Sequence, residues 1–151
     1  FTFLPESEML VIEEKDKFAK GRPEAQTILA TEITRIVHGE AGLQAALRIS
    51  QALFSGVLQK LTESDMKQLY QDGMPTSDVA NKEISLVQVL VNAGLAKSNN
   101  QARSFILSGA VQVNGLQVRD TRKVLLDLAA LHGYFHVLRR GKKRFHLLRC
   151  V

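Results

Sequence analysis

The sequence predicts an α+β chain: an N-terminal helical domain over residues 1–71, a linker over 72–82, and a small α+β domain over 83–151 built from two helices and a short twisted sheet. Three observations carry this. Apolar residues recur every three to four positions in the first half and alternate with polar ones late in the second. Asn114-Gly115 sits between two alternating runs, a strong short-range hairpin signal. The charge changes sign along the chain, from a net −3 over residues 1–82 to +8 over 83–151.

The elements follow in order. Ser7 to Ala19 reads as a charged, weakly amphipathic helix anchored by Leu10 and Phe18. Pro23 suits a first helical position, where its missing N–H would go unpaired anyway. Behind it Ala25, Ile28, Leu29, Ile33, Ile36 and Val37 form one apolar stripe, which Gly39 ends. A third helix carries Leu43, Ala46, Leu47, Ile49, Ala52, Leu53 and Phe54 and stops near Gly56. A fourth opens at Thr62, where Thr62 and Asp65 have the spacing of a capping box, and runs through Met66, Leu69 and Tyr70 to Gly73. Residues 72–82 lack apolar periodicity and hold Gly73, Pro75, Ser77 and Asn81, which reads as a linker.

In the second half, Leu86, Val89, Leu90 and Ala93 make a short helix closed by Gly94. Another opens at Ser98, with Gln101 three residues on as a capping box, and ends at Gly109. Val111 and Val113 flank Gln112 before the Asn114-Gly115 turn and Leu116. Two more strands are predicted at Tyr134–Leu138 and Phe145–Cys150, with Gly141 in the turn between them.

Composition narrows the function classes. The chain has 151 residues, 45% hydrophobic and 23% charged, which argues for a folded protein. No apolar run reaches the roughly 18 residues of a membrane span. The single cysteine, Cys150, excludes an internal disulfide and a Cys-rich zinc site. A reducing, cytoplasmic setting is expected. The start at Phe1 reads as that of a processed or excised piece, and no signal peptide is visible. The four histidines (His38, His132, His136 and His146) have no metal-like partners at close spacing, so no metal ligand set is expected. His136 and His146 are placed to face each other across a hairpin. No phosphate loop, GxSxG or HExxH motif occurs, so no catalytic residue is assigned.

The positive half points to a polyanion. Arg139, Arg140, Lys142, Lys143 and Arg144 flank Gly141 in a predicted turn, a cluster suited to phosphate contacts. A solvated basic turn is the ordinary alternative, and both readings fit. Lys97, Ser98 and Arg103 gather at a helix start, whose free N–H groups attract phosphate. There spacing alone favours simple capping by Ser98. The cations cluster at a strand turn and not along an amphipathic helix, which weakens a membrane-surface reading.

The run from Leu86 to Gly115 resembles the small RNA-binding domain first recognised in a ribosomal small-subunit protein: a Leu-rich helix and Gly94, then Lys97-Ser98, Ala102-Arg103, Gly109 and Val111-Gln112-Val113-Asn114-Gly115. The stretch from Leu29 to Arg48 resembles the helical region after the catalytic domain of bacterial tyrosyl-tRNA synthetases. Phe1-Thr2-Phe3-Leu4 resembles the junction leaving that domain, and Leu138 to Phe145 resembles their C-terminal basic hairpin. The resemblance implies the C-terminal tRNA-binding part of such an enzyme: a helical anticodon-binding domain, a linker and an α+β RNA-binding domain. The family's HIGH-like and KMSKS-like motifs are absent, so the resemblance implies no cofactor for this chain, and ATP with magnesium for the catalytic domain of the parent ligase.

The implied partner is tRNA-Tyr. The implied RNA-binding residues are Lys97, Ser98, Arg103, Arg139, Arg140, Lys142, Lys143 and Arg144, with Arg35, His38 and Arg48 as possible anticodon-domain contacts. Arg144 adds a cation where the family also admits an uncharged residue. A homodimeric parent joined through its catalytic domain, and a monomeric fragment, are expected. A generic structured-RNA binder of a ribosome-associated or RNA-modifying protein is the alternative, and a protein-interaction module with a basic surface is a third reading.

Overall fold

The computed structural model describes residues 24–151, and the expected helix over Ser7–Ala19 and the placement of Pro23 lie outside them. Helix α1 (Glu24–Ser55) is broken at Gly39, whose φ of 72° and ψ of 179° separate two helical stretches, as the glycine predicts. Residue contacts divide the chain into two compact units, 1–48 and 49–151.

In the first unit, Leu29, Ile33, Ile36 and Val37 are exposed on α1, while Leu43 is buried. Arg35 is held by carboxylates from both sides of the break, Glu32 and Glu40.

The second unit is a sheet covered on both faces. It begins with the end of α1, a short 3-10 turn (Leu58–Lys60), helix α2 (Glu63–Gln68) and a π-helical turn (Leu69–Gly73). Strand β1 (Thr76–Val79) precedes helices α3 (Leu86–Asn92) and α4 (Asn99–Leu107). Strands β2 (Val111–Val113), β3 (Leu116–Gln117), β4 (Phe135–Arg140) and β5 (Arg144–Cys150) complete it. The sheet order is β1-β5-β4-β2-β3. β1 runs parallel to β5, and the other pairs are antiparallel.

The register assigns the faces. Leu138, Leu148 and Cys150 share one face with Val111 and Val113 and pack with Leu86, Val89, Leu90, Ala102 and Ile106 of α3 and α4. Phe135, Val137 and Leu147 share the other and pack with Ile49, Ala52, Leu58, Leu61, Met66 and Leu69. A strand buried on both sides loses the polar alternation of a half-exposed one, which is why β4 reads Phe-His-Val-Leu.

Two expectations differ from this structure. Residues 72–82, expected as a linker, contain β1, which pairs Thr76 with Leu147 and Val79 with Cys150. The helical residues 49–70 belong with the sheet, so contacts divide the chain near residue 48 instead of at a linker after residue 71. The physical reason is the second apolar sheet face, which those helices cover. A clamp secures the expected linker: Arg149 donates to both oxygens of Asp78 at 3.0 and 2.7 Å and lies over the Tyr70 ring at 4.3 Å, while the Tyr70 hydroxyl donates to Asp78. Arg149 and then Tyr70 hold the Asp78 carboxyl below its usual range.

The α2 capping box is complete. Thr62 Oγ1 accepts from the Asp65 N–H at 3.2 Å, and the Asp65 carboxylate accepts from the Thr62 N–H at 2.9 Å. At Asn114-Gly115 both residues have positive φ, 52° and 84°, the geometry of a tight hairpin turn. Gly115 is also a contact point: a Cβ built there would lie 2.0 Å from the Gly56 carbonyl oxygen. The hairpin turn therefore seats directly on the end of α1.

Candidate nucleic-acid interface

The basic cluster lies at the β4–β5 hairpin, where Arg140 is in register with Arg144 and Gly141 turns the chain with φ 63°. Two of its cations are tied into the fold. Arg139 donates through Nε to the Gly141 carbonyl at 3.0 Å and through Nη2 to the Lys142 carbonyl at 3.2 Å, with its guanidinium 5.3 Å from the Phe145 ring centre. Arg140 donates to the Leu95 carbonyl at 2.8 Å and lies 4.7 Å over the Phe105 ring of α4. Arg140 thereby joins the hairpin to the turn before α4, the segment that carries Lys97 and Ser98. Lys142, Lys143 and Arg144 project from the turn as exposed side chains.

At the start of α4, Ser98 Oγ accepts from the Gln101 N–H at 3.2 Å. The return bond differs from the expected box: the Gln101 side chain accepts from the Lys97 N–H at 2.7 Å, one residue before the cap. Arg103 donates to the Asn100 side chain at 3.3 Å. Lys97, Ser98 and Arg103 are all exposed.

Four of the described cations outside this region have acidic partners. Arg35, Lys67, Arg122 and Arg149 each pair with an acidic side chain. Among the described residues, no such pair involves Lys97, Arg103 or the five hairpin cations. Arg140 and Arg144 stand opposite each other in register, and like charges directly opposite across a strand pair are destabilising. Residues 83–151 contain only three acidic residues against eleven Lys and Arg.

Three candidates fall in the other unit. Arg35, His38 and Arg48 belong to the first unit, all on exposed positions of α1. Arg35 is already neutralised by Glu40 and Glu32, and those carboxylates raise its pKa. His136 and His146 do not face each other. The register sets His136 opposite Leu148 and His146 opposite Leu138, two residues out of step. Each is buried with its own partner: His136 Nδ1 lies 3.4 Å from the Asn114 amide, and His146 Nε2 lies 2.8 Å from Ser77 Oγ. Burial, with a smaller effect of the Lys82 charge, lowers the His136 pKa to about 4, and burial lowers that of His146. Among the described residues no three His, Cys, Asp or Glu side chains could hold a metal. Burial pushes the Cys150 thiol up, which makes it a poor nucleophile.

Sequence reasoning missed Arg119. Its guanidinium and the Gln117 amide lie over Gly109, within about 3 Å of where a Cβ would stand. The Ala110 carbonyl, one residue on, accepts from the Gly141 N–H at 2.8 Å, which ties the Gly109 segment to the basic turn. Phe105 and Phe145, which support Arg140 and Arg139, carry no sequence signal of that role, because their cationic partners are distant in sequence or share a turn.

A family model described as "Tyrosine--tRNA ligase SYY-like C-terminal domain" matches residues 65–148. The tyrosine–tRNA ligase of Aliivibrio fischeri (strain MJ11) is 53% identical over 147 residues, covering 97% of this chain and 34% of the relative. That of Dechloromonas aromatica (strain RCB) is 48% identical over 148 residues, covering 98% and 35%. The chain thus spans about a third of the length of the curated relatives it matches. A solved structure titled "Solution structure of tyrosyl-tRNA synthetase C-terminal domain" aligns at 39% identity and a TM-score of 0.49, over 66% of this chain and all of that one. Among the described residues, no helix is long and apolar enough to cross a membrane. With a family model over more than half of its length, this chain belongs to the tyrosine–tRNA ligase SYY-like C-terminal domain family.

Proposed function

We propose that this chain is the tRNA-binding part of a cytoplasmic tyrosine–tRNA ligase. It holds tRNA-Tyr for aminoacylation by a catalytic domain that uses tyrosine, ATP and magnesium. The observation that supports this best is the set of cations without acidic partners on the β4–β5 hairpin and the start of α4. Lys142, Lys143, Arg144, Lys97 and Arg103 supply charge to the phosphates. Ser98 caps the helix whose N–H groups face the same ligand. Arg139 and Arg140 add charge while fixing the hairpin's shape and its distance from α4. Arg35, His38 and Arg48 are the proposed contacts of the anticodon-binding helices. Phosphate contacts position the RNA, and base reading requires unpaired nucleotides.

A parent homodimer would form through the catalytic domain, leaving this chain a monomer, which light scattering returning a dimer mass would contradict. The functional test is the salt dependence of tRNA-Tyr binding. Replacing Lys142, Lys143 and Arg144 together with Ala removes three cations, and the slope of log affinity against log salt should flatten by roughly 2 to 3. An unchanged slope would remove the hairpin from the interface.

A further inference from the structure

We infer that Phe54, with Phe145 and Arg139, forms a binding site for one unstacked nucleobase, on the sheet face opposite α4. The inference rests on the RNA-binding reading above and adds a base contact to its phosphate contacts. Phe54 is 64% exposed, and it is the one exposed Phe or Tyr among the described residues. Its ring meets that of Phe145 edge to face, with centres 6.5 Å apart and planes at 86°. The Arg139 guanidinium lies over that same Phe145 ring. Gln112 is in register with Arg139 and so shares its face of the sheet. The close approach of Gly56 and Gly115 fixes the end of α1 against the hairpin turn, which holds Phe54 in place beside the sheet.

These are the components by which proteins hold single bases. An aromatic face stacks on the base, a guanidinium adds cation–π attraction, and an amide can meet a base edge. A protein-docking patch favours a core depleted of charge. Here the apolar surface adjoins the most basic segment of the chain, which favours an anionic chain that carries its own π faces.

The chain contains no tryptophan, so Phe54→Trp places a single tryptophan at the site. Titration of the chain with tRNA-Tyr should quench that fluorescence. Phe54→Leu, which keeps an apolar side chain but removes the π face, should weaken binding about fivefold or more. Its salt slope should match wild type, since no phosphate contact is lost. No quenching at saturating tRNA, or wild-type affinity in Phe54→Leu, overturns the base site while leaving phosphate binding intact. If the wild-type chain binds no tRNA, the RNA-binding reading falls, and this site with it.

Discussion

Replacing Gly115 with Ala tests whether the helices over 49–70 and the sheet form one packed body. Gly115 has φ 84°, and its missing Cβ would stand 2.0 Å from the Gly56 oxygen and 3.0 Å from the Gly56 carbon. Two costs follow. An L-residue in the left-handed region costs roughly 1–2 kcal/mol. The added methyl must also push back backbone, an overpacking cost of about 1–3 kcal/mol. Gly133 supplies the control, since it has the same φ of 84° and nothing within 4 Å of its missing Cβ. Gly133→Ala should therefore show only the first cost, and Gly115→Ala about 1–3 kcal/mol more. Tyrosine fluorescence during urea unfolding is the assay. The two tyrosines, Tyr70 and Tyr134, both lie in the second unit, and no tryptophan competes. With a urea slope of about 1–3 kcal/mol per molar, the two midpoints should differ by roughly 1 M. Equal losses would refute the seating of the hairpin turn on the end of α1.

Three further outcomes are expected. Thr62→Ala breaks half of the capping box and should destabilise the second unit by about 1 kcal/mol in the same assay; no change would mean the cap is dispensable. Burial lowers the pKa of His136, to about 4, and also that of His146, whereas in the unfolded chain a histidine titrates near 6.5. Above that pH neither state is protonated and stability is full. Below it the unfolded chain takes protons that the fold refuses, so stability falls as pH drops from about 6.5 towards about 4. Urea midpoints should therefore be lower at pH 5.5 than at 7.5, less so in His136→Gln, and a flat profile would contradict the buried neutral rings. The flattened salt slope of the triple hairpin variant completes the set.

Local signals made most of the fold legible. The break at Gly39, the Thr62–Asp65 box, helices α3 and α4 and the Asn114-Gly115 turn all follow from residue chemistry within a few positions of each other. Strand β1 was not legible. Thr76-Ser77-Asp78-Val79 holds one aliphatic residue, and its partner strand lies near the end of the chain. The grouping of residues 49–70 with the sheet was hidden for a related reason. An apolar helix stripe states that something covers it, not whether that is another helix or a sheet.

The candidate interface divides in the same way. The basic hairpin is a contiguous run, readable as a charge cluster, but its division of labour depends on distant partners. Arg140 reaches Leu95 and Phe105, and nothing near it in sequence announces either. Arg119 was missed because its place over Gly109, a segment tied to the hairpin by Ala110, is set by residues distant in sequence. The two histidines illustrate register: counting back from the turn brought them level, while the actual pairing offsets them by two residues.

The most direct test of tRNA-Tyr recognition is a binding titration of this chain at two salt concentrations, against tRNA-Tyr and against an unrelated tRNA with a short variable arm. Tighter binding of tRNA-Tyr, with both affinities falling as salt rises, is the expected result. Equal affinity for the two RNAs, or no binding at the lower salt, would contradict it.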